Sequence, residues 1–173
     1  MNTYKDAGLE KEHWDSSSEK AKELKISDFG TQEEVIEKAR MERFPQNYTE
    51  ARKILSSFIV NPLKNISGLT ATLSKNSIEK ILSDAGEGSA KNLKAHLLAA
   101  GNLDKLFTHS IEPWSFEMNP NKNNDNIADI HRLYALMEYE GKITVVKITV
   151  KEMKNSKDGN RIYTIRSLRV GLG

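Results

Sequence analysis

The chain has 173 residues, a formal net charge of +2 and no cysteine, which suits one domain, or one domain with an arm. The absence of cysteine excludes disulfides, thiolate metal sites and thiol catalysis. No apolar run approaches the ~20 residues that span a bilayer, and the polar N-terminus does not resemble a signal peptide. We therefore expect a soluble protein, either cytoplasmic or delivered into the cytoplasm of a target cell, with no membrane partner.

The N-terminal quarter differs in composition from the rest. Residues 1–50 carry 8 Lys/Arg against 12 Asp/Glu, and only 7 of them are Leu, Ile, Val or Phe. Such a segment buries too little apolar surface to fold alone. We predict that residues 1–45 form a partly disordered, acidic helical arm and that residues 46–173 form the folded domain. Within the arm, Thr31 and Glu34 fit a capping box, and the helix that they open is expected to end near Phe44.

The first half of the folded domain, which we call the body, is predicted to be mainly helical. Asn47 and Ser74 are suited to cap helices, and apolar residues recur at helical spacing after each of them. Gly101 and the asparagine after it are expected to break a later helix. Residues 58–60 and 69–73 look like two short strands around a turn.

The second half changes to the period of strands. Ile127–Tyr139, Lys142–Met153 and Arg161–Val170 are rich in Ile, Val, Tyr and Thr, which favours a three-strand meander, with residues 111–117 as a further strand. The two residues between the first pair of strands fit a hairpin turn. We predict an α+β fold in which N-terminal helices pack on a C-terminal antiparallel sheet.

The middle strand carries the clearest functional signal. Residues 142–170 hold 8 basic and 2 acidic residues, and alternation places Lys147, Thr149 and Lys151 on one face of the strand. A basic, polar strand face near aromatic residues is typical of a nucleic-acid platform. An exposed antiparallel sheet presents the same pattern, so the strand alone leaves both interpretations open.

The sequence lacks the patterns of several site classes. No histidine pair has metal-ligand spacing, no phosphate-binding loop follows a strand, and no Gly-x-Ser-x-Gly elbow occurs. No metal and no cofactor are therefore expected. The remaining chemistry uses His, Lys, Arg, Tyr and Thr, which suits metal-free cleavage of RNA by its own 2′-hydroxyl: histidine moves protons and cations stabilise phosphate charge.

Five segments resemble, in order, a family of domains from very large multidomain proteins of phages and conjugative elements, the large polyvalent protein-associated domains. These segments are residues 68–83, 102–107, 130–134, 146–152 and 159–163, within roughly residues 48–170. The helices-then-sheet layout is also similar, more remotely, to the barnase–EndoU–RelE-like ribonucleases, which include bacterial toxins. That resemblance implies RNA, with tRNA as one candidate, as the substrate, and an inhibitory immunity or antitoxin protein as a partner.

Our first hypothesis is a metal-independent endoribonuclease-like domain of a mobile element or toxin system. It requires that an imidazole and several cations converge over the outer surface of the meander. The candidate catalytic residues are His131, His96, Arg132, Lys147, Thr149 and Tyr163, and the candidate nucleic-acid-binding residues are Lys151, Arg161, Trp114 and Tyr134.

Each candidate also has a structural interpretation. His131 could cap or pack, His96 lies on an apolar helix side where a buried, hydrogen-bonded role is equally expected, and large aromatic residues more often belong to a core. The second hypothesis is a non-catalytic accessory domain that binds nucleic acid or a partner protein. The third hypothesis is a transferase with the same arrangement of helices and sheet. It needs a cofactor pocket, for which the sequence shows no motif.

Overall fold

The structure is a computed structural model and describes residues 16–85, 90–116, 127–154 and 160–168. The helices are α1 (Ser16–Lys20), α2 (Gln32–Ala39), α3 (Tyr48–Ser56), α4 (Lys75–Ala85), α5 (Ala90–Gly101) and α6 (Leu103–His109), with two 3₁₀ turns at Ala21–Glu23 and Ile26–Phe29. The strands are β1 (Leu63–Lys64), β2 (Thr70–Ala71), β3 (Ile127–Tyr139), β4 (Lys142–Met153) and β5 (Asn160–Leu168). Helices precede an antiparallel sheet, which confirms the predicted α+β class.

The central sheet is the predicted meander, with strand order β3-β4-β5 and both pairings antiparallel. Glu140 and Gly141 connect the first two strands, and their φ angles are 52° and 76°. Two consecutive positive φ values match the twist of a tight hairpin and hold its strands in one register. Tyr139 therefore pairs with Lys142, and the pairing continues to the far end of β3, where it shifts between Ile127 and Asp129.

Short segments extend the sheet at both edges. On the β3 side, Ile111 and Tyr134 exchange two backbone hydrogen bonds of 2.8 Å, so the predicted further strand is reduced to one bridge in the described part of residues 111–117. On the β5 side, Thr72 makes a parallel bridge to Arg161 just after β2. The β1–β2 hairpin thereby joins the outer edge of β5.

Both faces of the sheet are covered. One face packs on α3 to α6 through Leu133, Ala135, Met137, Val146, Ile148 and Val150, with Leu55, Ile81, Leu106 and Phe107 among the helix residues. The other face packs on the arm through Tyr134, Leu136 and Val145, with Ala21, Leu24, Phe29, Val35 and Ala39 from the arm. Most of the described apolar side chains of the arm thus lie against the sheet, whereas those of Ile36 and Phe44 are exposed. The boundary between arm and body stays a prediction.

The predicted helix starts are confirmed. Thr31, Asn47 and Ser74 each accept, through a side-chain oxygen, the amide hydrogen of the residue three positions later, at 3.2, 2.9 and 3.1 Å respectively. Each side chain satisfies one of the amide groups that a helix leaves unpaired at its start. The predicted break is also confirmed, because α5 ends at Gly101 and α6 begins at Leu103.

Two sequence-based boundaries were wrong. The arm helix ends at Ala39 rather than near Phe44, because Arg40 adopts an extended conformation and the chain after it is bound to the α5–α6 junction. The first short strand lies at Leu63–Lys64 rather than at residues 58–60. At those residues the backbone continues the end of α3, and Phe58 N–H donates to the Leu55 carbonyl at 3.0 Å.

A buried asparagine ties the end of the arm to the junction of α5 and α6. Asn102 is 1% exposed. Its Oδ1 accepts the amide hydrogens of Glu42 and Arg43 at 2.9 and 3.0 Å, and its Nδ2 donates to the carbonyls of Arg43 and Leu98 at 2.8 Å each. Arg43 also binds Asp104 through two hydrogen bonds of 2.8 and 3.0 Å. These contacts fix where the arm enters the body.

Gly101 lies against the same crossing. A Cβ added there would lie 2.7 Å from both Cγ and Cδ of Pro45. At a solvent-exposed position inside a helix, Gly→Ala stabilises the protein by up to about 1 kcal/mol. Here we expect Gly101→Ala to destabilise the protein by about 1–3 kcal/mol, because the methyl group overpacks the contact. Urea unfolding measures the difference.

A double-mutant cycle gives the control for that prediction. Pro45→Ala removes the two ring atoms that the new methyl group would meet. In this background Gly101→Ala should lose most of its cost, since the two residues are in contact and their effects are not additive. An equal cost in both backgrounds contradicts the steric explanation.

Candidate functional site

His131 is held between two carboxylates. Its Nδ1 lies 2.9 Å from Glu112 Oε2, and its Nε2 lies 3.1 Å from Glu152 Oε1. Glu112 follows Ile111, whose bridge to β3 brings this carboxylate beside the strand. The His131 side chain is 17% exposed. Both ring nitrogens are therefore engaged at one end of the sheet.

The surroundings of His131 favour its charged form. Burial of the ring lowers its pKa, but the hydrogen bonds to Glu152 and Glu112, with the charges of Glu112 and Asp129, outweigh burial and raise the pKa above its usual value. In an imidazolium, both N–H groups donate to the carboxylates. Such a ring has to give up one carboxylate before it exchanges a proton with a substrate.

The cations expected beside His131 lie on the other face of the sheet. His131 pairs with Val150, which packs on the helices, whereas Lys151 pairs with Ile130. Directly paired residues share a face, and neighbouring residues along a strand point to opposite faces. The expected convergence of an imidazole with Lys147, Thr149 and Lys151 on one surface was therefore wrong.

His96 is occupied inside the helical layer. It lies on α5, is buried, and its Nε2 is 2.7 Å from the carbonyl oxygen of Ile81 on α4. Because a carbonyl only accepts, this ring nitrogen carries the hydrogen and donates. The contact joins α4 and α5, which matches the buried, hydrogen-bonded role given above as the alternative to catalysis. This bond engages Nε2 of His96 with the backbone of α4 and not with His131.

The arm covers the middle of the predicted platform. Lys147 is 1% exposed, and its Nζ donates to Ser18 Oγ of α1 at 3.0 Å. Thr149 is also buried. A buried ammonium group requires hydrogen-bond partners within the protein, and Ser18 supplies one. The expectation that Lys147 and Thr149 form an open phosphate-binding surface was wrong, because arm residues pack over that part of the sheet.

The aromatic candidates Tyr134 and Trp114 pack against other parts of the protein. Tyr134 is 0% exposed, so the structure does not present it to a nucleic acid as predicted. Trp114 meets the Tyr134 ring edge to face, with centroids 5.5 Å apart, and Lys20 Nζ lies 5.5 Å from the centre of the Trp114 ring. Trp114 thus anchors α1 against the strand. The Tyr163 side chain lies outside the described residues.

Three of the predicted cations remain partly exposed at one end of the sheet face that the arm covers. Arg132, Lys151 and Arg161 lie on β3, β4 and β5, and we call them the basic patch. Lys151 pairs with Arg161, and Arg132 pairs with Thr149, so all three share a face of three adjacent strands spaced ~4.8 Å apart. The guanidinium carbon of Arg132 lies 5.5 Å from the centre of the Phe116 ring.

Comparison with known proteins identifies a family. The sequence model described as large polyvalent protein-associated domain 3 matches residues 42–163, which is more than half of the chain. No curated protein and no solved structure gives a significant match. The predicted family is confirmed, whereas the likeness to ribonucleases, the RNA substrate and the inhibitory partner stay predictions.

In the ranges 16–85, 90–116, 127–154 and 160–168, no three His, Asp or Glu side chains are arranged to hold a metal ion. Over the same part of the chain, no helix has both the length and the apolar character needed to cross a bilayer.

The His131 contacts predict a pH dependence of stability. Because the folded-state pKa is raised, the contribution of His131 should be complete below the unfolded value of about 6.5 and should fade as the pH rises through the folded value. The difference in unfolding free energy between the protein and His131→Gln should therefore be larger at pH 6 than at pH 9.

NMR titration of the ring supplies the control. In Glu152→Gln, the His131 pKa should fall relative to the parent protein, because one carboxylate partner is lost. A ring that titrates below the ordinary histidine value in the parent protein contradicts the assignment.

Proposed function

Starting from the finding that this chain belongs to the large polyvalent protein-associated domain 3 family, we propose that it is a non-catalytic module that binds nucleic acid through the basic patch. The observation that supports this proposal is the sharing of one sheet face by Arg132, Lys151 and Arg161. The residues paired with Lys151 and Arg132 in the β3–β4 ladder are Ile130 and Thr149, which are uncharged.

The geometry of the patch suits a phosphate backbone. Three cations on adjacent strands span ~10 Å across the sheet, and partial burial limits how far solvent screens their charge. Phosphate contacts of this kind are sequence-independent, and they release counterions when they form. The Arg132 guanidinium is also oriented by the Phe116 ring, which reduces the freedom that it loses when it binds an anion.

Binding is favoured over cleavage by the positions of the two candidate catalytic histidines, His131 and His96. A general acid or base has to come within ~2.6–3.2 Å of the proton that it transfers. Both nitrogens of His131 contact carboxylates, its face is opposite to that of the patch, and Nε2 of buried His96 contacts a backbone carbonyl. A phosphate bound at Lys151 would therefore lie across the sheet from His131.

Removal of cations from the patch should weaken binding and reduce its dependence on salt. With a fluorescent single-stranded oligonucleotide, Lys151→Gln should lower affinity in a similar proportion for different sequences. It should also reduce the slope of log affinity against log salt by about 0.7, the value expected for one phosphate contact with a single strand. Anisotropy titrations over a range of salt concentrations measure both quantities.

Lys53→Gln is the matched control, because Lys53 is exposed on α3, a helix that packs on the opposite face of the sheet. It should leave affinity and slope unchanged. Equal losses in the two variants would indicate general attraction rather than a defined patch, and an oligonucleotide that does not bind at low salt would overturn the proposal.

A cleavage assay separates this proposal from the ribonuclease hypothesis. Purified protein incubated with tRNA or total RNA in EDTA at neutral pH should leave the RNA intact. Cleavage that persists in EDTA and is abolished by His131→Ala would instead support metal-free catalysis.

A further inference from the structure

A cleft lies where the segment after β2 runs beside β5. Its volume is about 520 Å³, and its lining includes the cations Lys75 and Arg161, the hydroxyl residues Thr72 and Ser74, and Pro62. Among the described residues of the chain, those that line the cleft include no carboxylate. Arg161 is also a member of the basic patch, so the cleft and the patch are continuous at this residue.

Backbone hydrogen bonds hold the walls of the cleft in place. Thr72 N–H donates to the Asn160 carbonyl at 2.9 Å, and Ile162 N–H donates to the Thr72 carbonyl at 3.0 Å. The Asn160 side chain donates to the Thr70 carbonyl at 3.0 Å. One parallel bridge between the segment after β2 and β5 thus fixes the backbone of Arg161 relative to the segment that leads to Lys75.

We propose that this cleft binds the terminal phosphomonoester of a nucleic-acid strand, an inference that rests on the function proposed above. A phosphomonoester carries about −1.5 to −2 charges at pH 7, more than the single charge of an internal phosphodiester. Lys75 and Arg161 together match that charge, and no carboxylate is found among the described residues of the lining. The basic patch then receives the internal phosphates that follow.

The dimensions and the remaining lining are consistent with one nucleotide. Pockets of about 300–1,000 Å³ hold small ligands, and the apolar side chains of Ile59 and Pro62 offer a surface for a sugar or a base. Ser74 Oγ already accepts the Ser77 amide hydrogen at 3.1 Å. Recognition therefore comes from the side chains of Lys75 and Arg161 rather than from the Ser74 cap at the start of α4.

The test uses one oligonucleotide sequence, internally labelled, with a 5′-phosphate, a 3′-phosphate or hydroxyl groups at both ends. One phosphorylated form should bind about tenfold more tightly than the hydroxyl form in anisotropy titrations. Lys75→Gln should remove this preference and leave the affinity of the hydroxyl form unchanged. Lys151→Gln should weaken all three forms by the same factor.

The outcomes distinguish the two proposals. If all three forms bind equally and Lys151→Gln still weakens them, the cleft inference is overturned and the basic patch remains supported. If no form binds, the function proposed above fails. Adenosine 5′-monophosphate then tests the cleft by itself: it should shift the amide NMR signals of Thr72 and Lys75 whereas adenosine should not, and unchanged signals overturn the inference.

Discussion

The alternation of side chains along β4 is the constraint on which the rest of the structure depends. Val146, Ile148 and Val150 need a helical layer on one face, and Lys147 with its neighbours on the other face is covered by the arm. A residue that moves by one position along this strand changes layer. The face on which a group lies therefore decides which groups act together, and it separates His131 from the basic patch although they are close in sequence.

Much of the fold could be predicted from local patterns. Caps at Thr31, Asn47 and Ser74 act over three residues, and the turn at Glu140 and Gly141 needs only two positive φ angles, so each leaves a signal in a short window. The sequence also contained enough information to place His131 and Lys151 on opposite faces of the sheet. Counting back from the turn pairs His131 with Val150, an apolar residue of the helix-facing set.

The cover over Lys147 could not be predicted in this way. Its cause is a contact between residues that are 129 positions apart, formed by an arm whose composition suggests weak independent folding. The buried role of Asn102 has the same origin, since its partners Glu42 and Arg43 lie about 60 positions earlier. Local sequence shows that an asparagine breaks a helix there. It does not show that the same side chain binds a distant backbone.

The covering of the sheet by the arm has a consequence for how this domain can be isolated. The family match begins at residue 42, after the arm residues that pack on Tyr134, Leu136 and Val145. A fragment trimmed to that boundary would expose an apolar surface together with the ammonium group of Lys147, which would lose its hydroxyl partner. Self-association of such a fragment would follow from the missing cover and would be no guide to the oligomeric state of the intact chain.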